Sequence, residues 1–120
     1  MLFRSFMPNA FTPNGDGLND IIRPITFNVS TINFVIYDDA NNIVYATTQL
    51  GQGWSSTLTN TSSTKYYYKI QVVTNANHRI GVCGELYKLN CKPTGITLYF
   101  ESQLTANGFT GQPESLQTCP

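Results

Sequence analysis

Between Pro8 and Asp20 the chain reads Pro-Asn-Ala-Phe-Thr-Pro-Asn-Gly-Asp-Gly-Leu-Asn-Asp, a density of turn-forming, hydrogen-bonding residues that neither a helix nor an ordinary strand accommodates. Proline holds φ near about −65°, glycine permits positive φ, and Asn and Asp side chains hydrogen-bond their own backbone in tight turns. Pro8, Pro13, Gly15 and Gly17 therefore predict a structured loop built to one shape.

Downstream the apolar period is two. Residues 31–37 alternate Ile32, Phe34 and Ile36 against Asn33, Val35 and Tyr37, and residues 42–48 repeat the type with Ile43 and Tyr45 facing one way. In residues 65–74, Tyr66, Tyr68, Ile70 and Val72 share a face expected in the core, opposite Lys65, Tyr67, Lys69 and Gln71. Asp38-Asp39-Ala40-Asn41-Asn42 and Asn75-Ala76-Asn77 are the turns between them. Residues 78–91 return as a long strand whose Gly81 and Gly84 point to a bulge or a close backbone crossing. Short strands are expected at 2–6 and 20–23, and a further strand or edge addition at 96–101. About seven short strands without a helical period describe an all-β fold, an Ig-like antiparallel β-sandwich. Residues 1–91 make up this domain, and residues 92–120, an irregular C-terminal tail, are expected to pack on it or be tethered to it.

Charged residues are only 12% of the chain, seven of each sign, while Tyr and Phe each occur seven times. Zero net charge without a Lys/Arg cluster leaves no electrostatic footprint for nucleic acid or anionic lipid, and no apolar run approaches the roughly 18 residues of a spanning helix. Residues 1–7 lack the long apolar stretch and small-residue cleavage site of a secretion signal, so for an exported chain that signal is expected upstream in a longer precursor.

Cys83, Cys91 and Cys119 have no Cys-x-x-Cys spacing and only His78 to assist them, which argues against zinc. Cys83 and Cys91 lie in what reads as one extended segment, roughly 26 Å apart at about 3.3 Å per residue and far beyond disulfide reach. Cys119 is then the partner of one of them in an oxidising compartment. The favoured bridge is Cys91 to Cys119, which ties the tail back where it leaves the domain, with Cys83 an unpaired, buried thiol.

The run from Pro8 to Asp20 closely resembles the signature opening the gliding-motility-associated C-terminal domain, the type B sorting domain of type IX secretion in Bacteroidota. Ile21-Ile22-Arg23-Pro24 resembles the apolar-apolar-Arg-Pro ending of that signature, and Phe34-Val35-Ile36-Tyr37, Ile43-Val44-Tyr45 and Gly53-Trp54 are similar to later family strands and a loop. Asp38-Asp39-Ala40-Asn41-Asn42 stands where the family has Asn-Arg-Trp-Gly, and Ser55-Ser56 where it has Asp-Gly. The resemblance covers roughly residues 7–89 and leaves the tail outside.

This resemblance implies the same fold class and a non-catalytic C-terminal sorting signal. Such a signal directs an exported cell-surface or adhesin cargo, of which it is covalently part, through the type IX secretion system by binding outer-membrane translocon components. It also implies a PorP/SprF-type outer-membrane β-barrel partner, passage through the periplasm, and a destination at the cell surface or outside, without direct membrane insertion. The partner-binding residues it implies are those of the signature loop: Pro8, Asn9, Phe11, Pro13, Asn14, Gly15, Asp16, Gly17, Asn19 and Asp20. A rigid loop is expected to present Asn9, Phe11, Asn14, Asp16, Asn19 and Asp20 near an exposed sheet edge. The alternative is a loop that only closes one end of the sandwich, with Phe11 in the core.

No cofactor is required by these residues. Calcium is the lesser reading: Asn14, Asp16, Leu18 and Asp20 match ligand positions of a calcium loop with Gly17 at its sharp turn. Thr12 and Arg23 occupy its ends, so the bidentate Glu is missing, and hydrogen-bonded Asx turns are the stronger expectation. His78 beside a turn has no nucleophile motif, and Glu85, Glu101 and Glu114 are scattered, so no active site is expected. The alternative function is a carbohydrate-binding or adhesive β-sandwich module, with Tyr37, Tyr67 and Trp54 as a stacking platform. Asn28-Val29-Ser30 and Asn60-Thr61-Ser62 match the glycosylation sequon, a short motif of little weight.

Overall fold

The computed structural model describes residues 4–55 and 64–119. The sequon at Asn60 and the start of the first expected strand lie outside the described residues. The chain is all-β: β1 (Arg4–Phe6), β2 (Ala10–Phe11), β3 (Ile21–Ile22), β4 (Ile25–Phe27), β5 (Val29–Tyr37), β6 (Ile43–Thr47), β7 (Trp54–Ser55), β8 (Thr64–Thr74), β9 (Arg79–Lys88), a 3-10 turn (Glu101–Gln103), β10 (Leu104–Thr105) and β11 (Gly108–Phe109). One five-stranded sheet dominates, in the order β2-β9-β8-β5-β6, and β1–β4, β3–β7 and β10–β11 form separate two-stranded pairs. The expectation of uniformly antiparallel strands needs correction, because β2 runs parallel to β9. Residues 96–100 form no strand.

The alternation in β5 and β8 sets the core. Phe34 pairs with Ile70 and Ile32 with Val72, and their side chains are buried with Ile36, Leu86, Ile22 and Phe11. Tyr66, Tyr68 and Tyr45 pack against this cluster. Each fully buried aliphatic or aromatic side chain stabilises by about 1.5–3 kcal/mol through apolar surface removed from water. Trp54 closes the cluster, its ring 5.3 Å from Phe11 and 5.0 Å from Tyr66.

Three local expectations are corrected by register. A bulge in the β5–β6 pairing places Tyr45 opposite Ile36 but Ile43 opposite Tyr37, so Ile43 turns away from Tyr45 and is 62% exposed. No bulge lies at Gly81 or Gly84, since β8 and β9 pair without a shift from Thr64↔Lys88 to Val73↔Arg79. Gly84 instead admits a ring: a Cβ there would lie 2.7 Å from the Tyr68 hydroxyl oxygen and 2.9 Å from Cζ. The same register puts Cys83 opposite Lys69 on the outward face, so the unpaired thiol is exposed and not buried.

A second, smaller cluster of Ala10, Leu89 and Phe100, with Leu98 and Leu116 against it, joins β2 to the C-terminal segment. The disulfide Cys91–Cys119, with Cα atoms 4.9 Å apart, returns that segment to the end of the sheet.

Candidate functional site

The signature loop has a buried base and an exposed crest. Pro8, Ala10, Phe11, Thr12 and Pro13 are buried, whereas residues 14–18 are exposed and Asp20 is half-buried. Backbone bonds from Thr12 N–H to Asn19 O (2.7 Å) and from Asn14 N–H to Thr12 O (2.7 Å) close the loop. Gly15 and Gly17 adopt φ of 80° and 83°, and Asn19, at φ 54°, takes the left-handed conformation that its short polar side chain tolerates.

Carboxylates and amides then hold the crest to itself. Asp20 accepts Gly15 N–H at Oδ1 (3.1 Å) and Gly17 N–H at Oδ2 (2.7 Å). Asn14 Oδ1 accepts Asp16 N–H (3.2 Å), and Asp16 Oδ1 accepts Leu18 N–H (2.9 Å), which are Asx turns. Both oxygens of Asp20 and one of Asp16 are thus engaged by backbone N–H groups, the hydrogen-bonded arrangement expected of Asx turns. Among the described residues no group of three or more His, Cys, Asp or Glu side chains is placed to hold a metal ion.

Three expected presenters are buried or already engaged. Phe11 is fully buried in the core against Trp54, and Asn19 is only 9% exposed. Asn9 is engaged by the C-terminal segment: its Nδ2 donates to Thr97 O (2.8 Å) and its Oδ1 accepts Tyr99 N–H (2.6 Å). Asn9 N–H donates to Tyr99 O (2.9 Å), so the β2 edge beside the loop is covered and is not the open edge that the sequence suggests. The other edge of the sheet is β6.

Asn19 is held in the same way. Its Nδ2 donates to Ser102 Oγ (3.0 Å) and to Glu114 Oε1 (2.9 Å), and its Oδ1 accepts Ser102 N–H (3.1 Å). Thr12 Oγ1 donates to the same Glu114 oxygen (2.7 Å). Arg23 pairs with Glu101 through Nε at 2.6 Å, and that hydrogen bond raises the guanidinium pKa above its usual value. Sequence reasoning missed Thr12, Ser102 and Glu114 as a network around Asn19, and Arg23 with Glu101 as a pair. The available signal was that Glu101 and Glu114 are the only acids in an otherwise polar, uncharged stretch after Lys92.

The stacking platform does not assemble. Tyr37 and Tyr67 pair across β5 and β8 on the outward face, whereas Trp54 lies on the opposite face between Phe11 and Tyr66. His78 is exposed at the β8–β9 turn, its backbone N–H donating to Thr74 Oγ1 (3.1 Å).

The signature loop is thus a self-bonded crest set on a β-domain. The model of the CHU_C type IX secretion signal domain family matches residues 5–84, and the chain belongs to this family. It is a non-catalytic sorting signal of the type IX secretion system, and not an enzyme. Membership is consistent with an exported, surface-destined protein that engages the translocon machinery in general terms. No curated protein and no solved structure matches the chain at a significant level.

Proposed function

We propose that the secretion machinery reads this domain at the crest of the signature loop, residues 14–18, with the adjoining C-terminal segment as part of the same face. The observation that carries this reading is the crest itself: it is exposed, shaped by its own Asx turns, and carries Leu18 at 42% exposure on a fixed backbone. Rigid loops pay little ordering entropy on docking, so such a crest suits recognition by shape. The partner fitting this role is a PorP/SprF-type β-barrel of the outer membrane, and the cargo is a cell-surface or adhesin protein to which the domain is covalently joined.

The layering is read as a reduced Ig-like sandwich. The support is that Ile22 and Trp54, from the separate β3–β7 pair, pack against the core side chains of the five-stranded sheet where a second sheet would lie. Pro8, Asn9, Phe11, Pro13 and Asn19 serve in this reading by holding the crest, while Asn14, Gly15, Asp16 and Gly17 form it and Asp20 ties it.

Capture of outer-membrane proteins by the domain tests the assignment. Leu18→Ala combined with Asp16→Asn keeps the Asx-turn acceptor and alters only what the crest presents. Loss of barrel capture by this folded variant is expected, and undiminished capture would move recognition to another surface.

A further inference from the structure

We propose that the Cys91–Cys119 disulfide is a redox-sensitive latch that holds residues 111–119 as a strap over the base of the signature loop, and that reduction opens this strap while the five-stranded sheet stays folded. The proposal rests on the export reading in one respect only, the change of compartment that would set the latch.

The C-terminal segment makes two passes, and they are held unequally. The first, residues 97–103, is gripped by the side chains of Asn9 and Asn19, by the Arg23–Glu101 pair, and by Phe100, which is 1% exposed. The second buries less apolar surface. Gln112, Pro113, Ser115, Gln117 and Thr118 are exposed, and Leu116 is the apolar side chain of this pass that packs on the Ala10, Leu89 and Phe100 cluster. Its polar ties include Gly111 N–H to Gln103 O (2.8 Å), Gln103 Nε2 to Gly111 O (3.5 Å), the Glu114 carboxylate accepting from Thr12 and Asn19, Lys92 N–H to Gln117 O (2.7 Å) and Cys119 N–H to Lys92 O (2.9 Å). A segment with one apolar anchor does not offset the entropy of ordering its backbone, so the covalent bond, spanning a sequence separation of 28, keeps it down.

Opening is a two-electron step. A dithiol reductant breaks the S–S bond, supplies two electrons and two protons to give the Cys91 and Cys119 thiols, and is itself oxidised to its disulfide. The strap then leaves, Thr12 Oγ–H and the Asn19 amide lose the Glu114 carboxylate, and the strip of Ala10, Leu89 and Phe100 loses Leu116. Thiols stay reduced in the cytosol and pair in the periplasm, so an exported chain would carry the open form first and the closed form afterwards.

Residue-resolved hydrogen exchange on the full chain tests this, comparing the oxidised protein, the protein in dithiothreitol, and the Cys91→Ser/Cys119→Ser variant. The backbone amides at positions 92, 111 and 119 are expected to exchange at least about tenfold faster without the bond, a local opening, with the β8–β9 amides unchanged. Unchanged protection at positions 92 and 119 would mean the strap holds itself and would overturn the proposal. Loss of protection through β8–β9 would also overturn it, because the bond would then staple the whole fold. Oxidised Glu114→Gln should keep Lys92 and Cys119 protected; if it releases them, the carboxylate and not the disulfide is the latch. Failure of outer-membrane capture leaves all of these outcomes untouched.

Discussion

Asn9 and Tyr99 are bonded reciprocally across 90 positions of sequence: Asn9 Oδ1 accepts Tyr99 N–H at 2.6 Å while Asn9 N–H donates to Tyr99 O at 2.9 Å. One residue thereby pairs with an extended segment through both its backbone and its side chain. Asn9→Ala should cost about 1–2 kcal/mol for the lost side-chain bonds, read as a fall of several degrees in Tm. Asn9→Asp should be worse at neutral pH, since a carboxylate oxygen would face Thr97 O. Relative to wild type at the same pH it should recover in acid, where the carboxylic O–H can donate. Equal behaviour of the two variants would show that the Thr97 contact contributes nothing.

Phe11 belongs to the signature yet is fully buried. Phe11→Ala leaves a cavity under Trp54 and should destabilise by about 3–5 kcal/mol, measured by urea unfolding. That is a large share of the roughly 5–15 kcal/mol total of an ordinary domain. A loss below about 1 kcal/mol would contradict its place in the core.

The two glycines of β9 should respond in opposite ways. Gly81 has nothing closer than the Ile70 carbonyl oxygen at 4.0 Å, so Gly81→Ala should be neutral or slightly stabilising. Gly84→Ala pushes against the Tyr68 ring, whose hydroxyl end must swing aside, and should cost about 1–3 kcal/mol. Burial already raises the Tyr68 phenol pKa, and Gly84→Ala is expected to change its alkaline absorbance titration while Gly81→Ala leaves it alone.

Acid should loosen the β5–β6 turn. Asp38 accepts the Asn42 backbone N–H, the Asn42 side-chain amide and the Ala40 N–H, which hold its carboxyl below the ordinary value of 3.8. A depressed carboxyl contributes stability above its unfolded value, and that contribution is lost as pH falls through the folded one. The amide resonances of Ala40 and Asn42 should therefore shift together with a midpoint below 3.8. A midpoint at or above that value would remove the turn's hold on the carboxylate.

Local chemistry decides what is legible in the chain. Paired prolines, glycines and Asx residues dictate a rigid loop whatever surrounds it, and period two in β5 and β8 places Phe34, Ile70 and Val72 inside. What is not legible depends on register or on distant partners. The β5–β6 bulge carries no residue signature, so periodicity alone assigns Ile43 to the face of Tyr45. The face of Cys83 follows from its pairing with Lys69, which Gly81 and Gly84 obscure by resembling a bulge. Glu101 and Glu114 reach their partners over separations of 78 and 102 positions, and periodicity holds no record of such contacts.

Because β2 lies parallel to β9, the signature segment finds no hydrogen-bonding neighbour in the main sheet until residues almost eighty positions later have folded back along β8. Non-local pairings of this kind form late, after the entropy of closing so long a loop has been met. The seat of the crest on the sheet, unlike its self-held turns, is thus a certificate of maturation, in place only once the rest of the chain has finished assembling.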